Sequence, residues 1–290
     1  INQDVLIPPG AKMGVKHGQY AEVRITQWPT MSRQAQGEVI EVVGDYMAPG
    51  MEIEVALRSY DIPSEWPPEV VEEASKLKDF VEEKDKHKRV DLRHLPLVTI
   101  DGEDARDFDD ALYCEPHKAS GWRLFSGGWK LYVAIADVSH YVPLGSALDQ
   151  EAELRGTSVY FPSQVIPMLP EAISNGLCSL NPHVDRLALV CEMTLSKAGE
   201  LTDYQFYEAV IHSHARLTYN KVSSMLEHGR SREGKALRDE YSEVVPHIEN
   251  LYELYKALAK ARQGRGAIDF ETTETRMIFG DDRKLVEIKP

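Results

Sequence analysis

The sequence is short of cysteine, of long apolar runs and of positive charge. Three of its 290 residues are cysteine, and none forms a Cys-x-x-Cys pair. We therefore expect Cys114, Cys178 and Cys191 to be buried, reduced thiols of a cytoplasmic protein rather than zinc ligands. No run approaches the ~18 apolar residues of a transmembrane helix, so no membrane partner is predicted. The N-terminus has no signal-peptide pattern, and its lack of an initiating Met suggests a cut or processed chain.

Acidic residues outnumber basic residues. The chain has 47 Asp and Glu against 33 Lys and Arg, which gives a net charge of −14. This balance argues against a protein that holds nucleic acid through bulk positive charge. It does not argue against a metal-dependent nuclease, whose acidic pocket is neutralised by its ions. The length suffices for two domains, and the 42% hydrophobic content supports a substantial core.

The acidic residues concentrate in one stretch, where five aspartates and one glutamate lie between Asp101 and Asp110. Carboxylates held this close repel one another by up to ~4 kcal/mol per pair at ~4 Å and an effective dielectric of ~20. A fold tolerates such repulsion if a cation sits among the carboxylates, and Mg²⁺ prefers such ligands. In extended backbone Asp107 and Asp109 would share a face, whereas Asp101 must reach them across a loop. The stretch predicts a site for one or two metal ions. The alternative is a solvated acidic loop, and the EF-hand pattern fails in every register.

The first 62 residues have the pattern of a small all-β domain. Strands are predicted at Tyr20–Ile25, Gly37–Gly44 and Met51–Leu57, separated by Pro- and Gly-containing turns. Short strands of this kind suggest an OB-type barrel. Basic and aromatic side chains could give it a face that stacks on bases and contacts phosphates, or they could be ordinary surface and barrel residues. These side chains are Lys12, Lys16, Tyr20, Arg24, Trp28 and Arg33.

A linker with one helix, at about 68–83, precedes a second domain that mixes strands and helices. A hairpin loop is expected at 118–128, and a long helix should break near Pro246. The predicted strands of this domain are 131–138, 157–161, 187–195, 204–212, 270–278 and 284–288. The predicted helices are 148–155, 219–227 and 233–263.

Four blocks of sequence resemble the ribonuclease II/ribonuclease R family, the RNB-domain exoribonucleases, and most strongly its bacterial ribonuclease R branch. The blocks are Asp91–Leu112, Val133–Ser139, Arg155–Pro170 and Ser174–Pro182. The resemblance implies an α+β fold. Residues 1–62 would be part of a second cold-shock (OB-fold) domain and 63–92 a linker with a helix. Residues 93–290 would be the N-terminal part of an RNB catalytic domain with a mixed or antiparallel sheet. It also implies an internal fragment that is inactive alone, because the family's active-site arginine would follow Pro290.

The resemblance also implies an activity. The family hydrolyses single-stranded RNA processively from the 3′ end and releases nucleoside 5′-monophosphates, with Mg²⁺, or alternatively Mn²⁺, as cofactor. DNA is not expected as a substrate, and the ribosome or RNA-decay proteins are candidate further partners. The alternative to an enzyme is a non-catalytic RNA-binding or scaffold module of the same fold.

Six residues take roles from the resemblance. The family's Asp-x5-Asp-x-Asp-Asp motif falls on Asp101, Asp107, Asp109 and Asp110 as metal ligands, with Asp107 and Asp109 as the catalytic pair. The family's clamp tyrosine, which stacks on a base near the 3′ end, falls on Tyr160. A second RNA-binding tyrosine corresponds to Tyr219 through the shorter motif Ala215–Tyr219.

Overall fold

The computed structural model describes residues 4–46, 48–103, 105–117, 127–162, 164–268, 270, 273, 275–280 and 285–289. The strands are β1 (Val5–Leu6), β2 (Gln19–Gln27), β3 (Ala35–Asp45), β4 (Val90–Asp91), β5 (Val98–Asp101), β6 (Asp110–His117), β7 (Gly128–Ala136), β8 (Val159–Phe161), β9 (Gln164–Ile166), β10 (Asp185–Ser196), β11 (Leu201–His212), β12 (Ala215–Thr218), β13 (Arg276–Phe279) and β14 (Leu285–Lys289). The α-helices are α1 (Met51–Ser59), α2 (Pro68–Ser75), α3 (Glu83–Lys86), α4 (Val138–Tyr141), α5 (Ala147–Arg155), α6 (Tyr219–Leu226), α7 (Arg232–Glu240) and α8 (Val245–Gly264). The α+β class predicted from the sequence is confirmed.

The chain divides into two compact units. The first contains Ile1–Trp66, Ser158–Ile166 and Thr272–Pro290, and the second contains Pro67–Thr157 and Pro167–Glu271. Each unit therefore draws on segments that are distant in sequence.

The first unit contains a three-stranded sheet with the order β1-β3-β2. The predicted strand at Met51–Leu57 is wrong, because these residues form α1. Gly50 has a φ of 85° and turns the chain, after which Met51 and Leu57 are buried on one helix. Glu54 and Arg58 pair one turn apart, with 2.6 Å between Oε2 and Nη1. Apolar residues alternate with glutamate in this segment, which is the pattern of a strand. In the structure, however, Glu52 and Glu54 lie in the first turn of the helix.

The second unit is built on a seven-stranded mixed sheet with the order β12-β5-β6-β7-β10-β11-β4. The neighbours from β5 to β11 pair antiparallel, and the outermost strands β12 and β4 pair parallel. The predicted strands at 131–138, 187–195 and 204–212 are confirmed as β7, β10 and β11. Their inner residues Ala134, Ala188 and Val190 are completely buried.

Helix α8 covers the part of β6 that extends past the end of β5. His247 and Asn250 both approach the carbonyl oxygen of Cys114, with donor atoms at 3.3 and 3.5 Å. The expected break near Pro246 is confirmed, since α7 ends at Glu240 and Pro246 lies in the first turn of α8. These contacts attach α8 to the backbone of β6.

Other sequence predictions are confirmed in part or fall outside the described residues. The predicted helix at 68–83 is shorter than expected, because α2 ends at Ser75 and the four-residue α3 follows. Most of the predicted loop at 118–128 and the turn of the β13–β14 hairpin lie outside the described residues. Cys114 and Cys178 are buried free thiols as expected, whereas Cys191 is only partly buried. No helix in the described parts of the chain is long and apolar enough to cross a lipid bilayer.

Candidate active site

The four aspartates lie where two neighbouring strands meet. Asp101 is the last residue of β5 and Asp110 the first of β6, and these strands pair antiparallel through Val98 and Leu112. Between them, Phe108 is buried, with 2% of its surface exposed. Because successive side chains of an extended segment point to opposite sides, a buried Phe108 directs Asp107 and Asp109 away from the core. The acidic loop, residues 102–109, is thus fixed at its C-terminal end by one aromatic anchor.

The acidic loop is fastened on one side to the segment 175–181. The backbone N–H of Phe108 donates to Oγ of Ser179 at 3.1 Å, and the N–H of Leu180 donates to the carbonyl of Phe108 at 2.8 Å. Oγ of Ser179 also donates to the carbonyl of Arg106 at 3.3 Å. Buried Arg186 holds the segment in turn, since its Nε donates to the carbonyl of Ser179 at 2.8 Å. A chain of hydrogen bonds therefore connects β10 to the acidic loop.

On the other side the loop is fastened to β12 and the start of α6. Nη2 of Arg216 donates to the carbonyls of Ala105 at 2.8 Å and Glu103 at 3.4 Å. The guanidinium carbon lies 4.5 Å from the centroid of the Phe108 ring, within the range of a cation–π contact. Nδ2 of Asn220 donates to Oε1 of Glu103 at 2.7 Å. The loop is thus held from two directions.

The aspartates act on one another electrostatically. Burial raises the pKa of Asp101, and the charges of Asp110, Asp107 and Asp109 raise it further, against a lowering by Arg216. Burial raises the pKa of Asp109, and Asp107 and Asp110 add to the shift. Such mutual repulsion favours uptake of a positive charge, whether a proton or a metal ion.

The donor set fits a hard divalent cation. Oδ2 of Asp101 is buried and has no hydrogen-bond partner in the described part of the structure. An orphaned buried carboxylate oxygen is costly unless a donor or a cation meets it. Within the described ranges, however, no group of three or more His, Cys, Asp or Glu side chains is arranged to hold a metal ion. The carboxylates would have to draw together to coordinate one.

The two tyrosines lie in different units. Tyr219 is the first residue of α6, directly after Thr218, which pairs with Asp101 across β12 and β5. Its surface is 65% exposed. Tyr160 lies in β8 of the first unit and is 64% exposed, so neither is a core aromatic. The contacts of Tyr160 and Tyr219 with RNA remain predictions.

The proposed nucleic-acid face of the first unit is also exposed in part. Trp28 in the loop after β2 is 78% exposed, while Tyr20 lies 5.5 Å from Tyr46 between ring centroids. Arg24 pairs with Glu38 at 2.5 Å, which neutralises its charge. Arg24 is therefore a weaker phosphate ligand than its sequence position suggested.

Sequence reasoning missed the residues that hold the acidic loop. Ser179 lies in the block Ser174–Pro182, and Arg216 lies in the motif Ala215–Tyr219. Their position in these family motifs was the only feature of the sequence that could have indicated a role. The sequence assigned no role to either residue, because their partners in the acidic loop lie more than 70 residues away.

Comparison with known proteins matches both parts of the chain. The RNB domain family matches residues 89–290, and the cold shock domain family matches residues 1–67. Ribonuclease R of Vibrio cholerae is 54% identical over 290 residues, covering 100% of this chain and 34% of that protein. Ribonuclease R of Escherichia coli K12 is 54% identical over 286 residues, covering 99% of this chain and 34% of that protein.

A solved structure, Mycoplasma genitalium RNase R in complex with double-stranded RNA, has a TM-score of 0.86 at 28% identity. The match covers 99% of this chain and 49% of that one. The chain spans about a third of the length of the curated relatives it matches. The resemblance and the fold class predicted from sequence are confirmed.

Proposed function

This chain belongs to the RNB-domain family, and from that premise we propose that it is part of a 3′-to-5′ exoribonuclease. The protein would hydrolyse single-stranded RNA to nucleoside 5′-monophosphates with Mg²⁺ or Mn²⁺. Relatives named ribonuclease R, and the RNA complexes of the M. genitalium protein, support this assignment.

One observation carries the proposal. All four aspartates of the motif are present, and Asp107, Asp109 and Asp110 each raise the pKa of Asp101, whose Oδ2 is a buried orphan among the described residues. A structure stabilised only by packing would have little reason to gather four carboxylates at two adjoining strand ends and the loop that joins them. A site that holds a cation against a phosphodiester has that reason.

The residues would divide the work. Asp101, Asp107, Asp109 and Asp110 would hold the cation, with Asp107 and Asp109 directed outward by the anchored Phe108. Bound Mg²⁺ would supply Lewis-acid stabilisation of the phosphoryl oxygens and lower the pKa of the attacking water.

The tyrosines would bind the substrate. Tyr160 would stack on a base near the 3′ end, an interaction worth ~1–3 kcal/mol that does not depend on base identity. Exposed Tyr219, directly after the strand that pairs with Asp101, would contact the RNA beside the scissile phosphate. Neither contact reads sequence, which suits an enzyme that digests RNA processively.

A non-catalytic RNA-binding module is the second candidate. It is favoured by the absence, among the described residues, of a ready arrangement of three metal-ligating side chains. The two candidates differ in one respect: the enzyme needs the charge of the aspartates, and the binding module does not.

The substitution Asp109→Asn in the full-length protein separates them. It keeps the shape of the side chain and removes the charge, so hydrolysis should fall by several orders of magnitude while RNA affinity stays close to wild type and the protein stays folded. Release of labelled mononucleotides with Mg²⁺ is the measurement. Asp203→Asn, in the exposed N-terminal part of β11, is the matched control and should be fully active. Nearly normal turnover of Asp109→Asn at saturating Mg²⁺ would leave only the binding module.

A further inference from the structure

Arg216 occupies an unusual position for an exposed arginine. It lies on β12, the outermost strand, and donates to the backbone of the acidic loop at Glu103 and Ala105, which are more than 110 residues away in sequence. Its hydrogen bonds go to two main-chain carbonyls, those of Glu103 and Ala105, and its guanidinium carbon lies 4.5 Å from the centroid of the Phe108 ring. Arg216 therefore contacts the loop at three places: two backbone carbonyls and the ring of Phe108.

The geometry of the guanidinium group explains why arginine suits this position. A planar group can lie flat on Phe108 while its edge donates to carbonyls, and a lysine ammonium can do only one of these at a time. The loop needs such restraint because its own carboxylates repel one another and push its backbone apart. Asn220, which bonds to the Glu103 side chain, adds a further attachment from the same junction.

We propose that Arg216 is a positioning residue that holds the backbone at Glu103 and at Ala105 and the ring of Phe108, so that Asp107 and Asp109 stay on the side of the loop from which they can draw together around a divalent cation. This inference rests on the proposed function, in which those aspartates bind the cation. Arg216 itself touches neither cation nor substrate in this proposal.

Two effects of Arg216 on cation binding have opposite signs, which makes the proposal testable. As a positive charge near Asp101, it should repel a cation, so its loss should tighten binding. As a clamp on the loop, its loss should weaken binding, and outer-shell substitutions of this type cost metal sites about 10-fold or more in affinity. Arg216→Lys keeps the charge and loses the clamp, and Arg216→Met loses both.

The experiment measures Mn²⁺ binding by electron paramagnetic resonance and amide hydrogen exchange by mass spectrometry in the full-length protein. If Arg216 positions the loop, Arg216→Lys should weaken Mn²⁺ binding about 10-fold, and Arg216→Met should also weaken it but by less, because Arg216→Met removes the repelling charge as well. Peptides covering residues 102–109 should exchange faster in EDTA. Arg24→Met removes an exposed arginine from a side-chain ion pair in the first unit and should change neither quantity.

The outcomes distinguish the two proposals. Tighter Mn²⁺ binding by Arg216→Met together with wild-type binding by Arg216→Lys would overturn the positioning role and leave only a charge effect. Unchanged exchange of residues 102–109 in both variants would also overturn it, whether or not Mn²⁺ binds. Failure of the wild-type protein to bind Mn²⁺, with faster exchange in the variants, would refute the proposed function and retain the clamp.

Discussion

Removal of the Ser179 hydroxyl should destabilise the second unit by an amount that the structure allows us to work out. Ser179 is completely buried, and its Oγ accepts a hydrogen bond from the N–H of Phe108, a residue that is 2% exposed. In Ser179→Ala that N–H loses its partner in a place that water does not reach. The carbonyl of Arg106 also loses a donor, but it belongs to an exposed residue and can be rehydrated.

The expected cost is that of one stranded buried donor, about 1–3 kcal/mol. For a unit of about 200 residues, each kcal/mol lowers the melting temperature by roughly 2–4 °C, so a decrease of roughly 2–12 °C is expected. Because the freed loop carries Asp107 and Asp109, RNA hydrolysis should also decrease.

The assay is urea and thermal unfolding at pH 7 followed by circular dichroism. Ser75→Ala is the matched control, since Ser75 Oγ donates to the carbonyl of Glu72 on an exposed helix end, and it should cost less than about 0.5 kcal/mol. If the two variants were equally stable, the Ser179 hydroxyl would not be satisfying a buried amide, and the attachment of the loop to the segment 175–181 would be wrong.

Two further predictions concern RNA binding and pH. Tyr160→Ala should weaken binding of short RNA and change the length of the final products on a denaturing gel, while Tyr204→Ala, also an exposed tyrosine, should leave the products unchanged. If the products of Tyr160→Ala had the same lengths as those of wild type, Tyr160 would not stack on the RNA. The pKa of Asp109 is raised by folding, chiefly by burial, so the folded state binds more protons and the free energy of unfolding should fall as pH rises above the unfolded value near 3.8. In EDTA, Asp109→Asn should therefore gain stability relative to wild type between about pH 4 and pH 7; a difference that stays constant across this range would contradict the assigned electrostatics.

Patterns within one element were read correctly where burial and local preference agreed. The alternation in β10 and β11 predicted both strands, and Pro246 predicted the break between α7 and α8. The strand predicted at Met51–Leu57 was wrong because a helix that buries Met51 and Leu57 is equally compatible with the alternating sequence. A period-two pattern over seven residues cannot separate these cases without the preceding Gly50, whose positive φ starts the helix.

The four aspartates of the candidate site were proposed from sequence, but the residues that hold their loop were not. Asp101, Asp107, Asp109 and Asp110 lie within ten residues, so local density and a family motif sufficed. Arg216 lies near the loop because β12 pairs in parallel with β5, and no local sequence pattern predicts this pairing. An arginine in an alternating strand is ordinarily a solvated surface residue, and only the three-dimensional register shows its target.

The most direct test of the account is to locate a divalent cation at the four aspartates. Crystals of the full-length protein soaked in Mn²⁺ would be measured at the manganese absorption edge, and the anomalous difference map inspected. The account predicts a peak at bonding distance, about 2.1 Å, from carboxylate oxygens of Asp101, Asp107, Asp109 and Asp110, and its loss in Asp109→Asn crystals. Manganese peaks found only elsewhere on the protein, with none among these carboxylates, would contradict it.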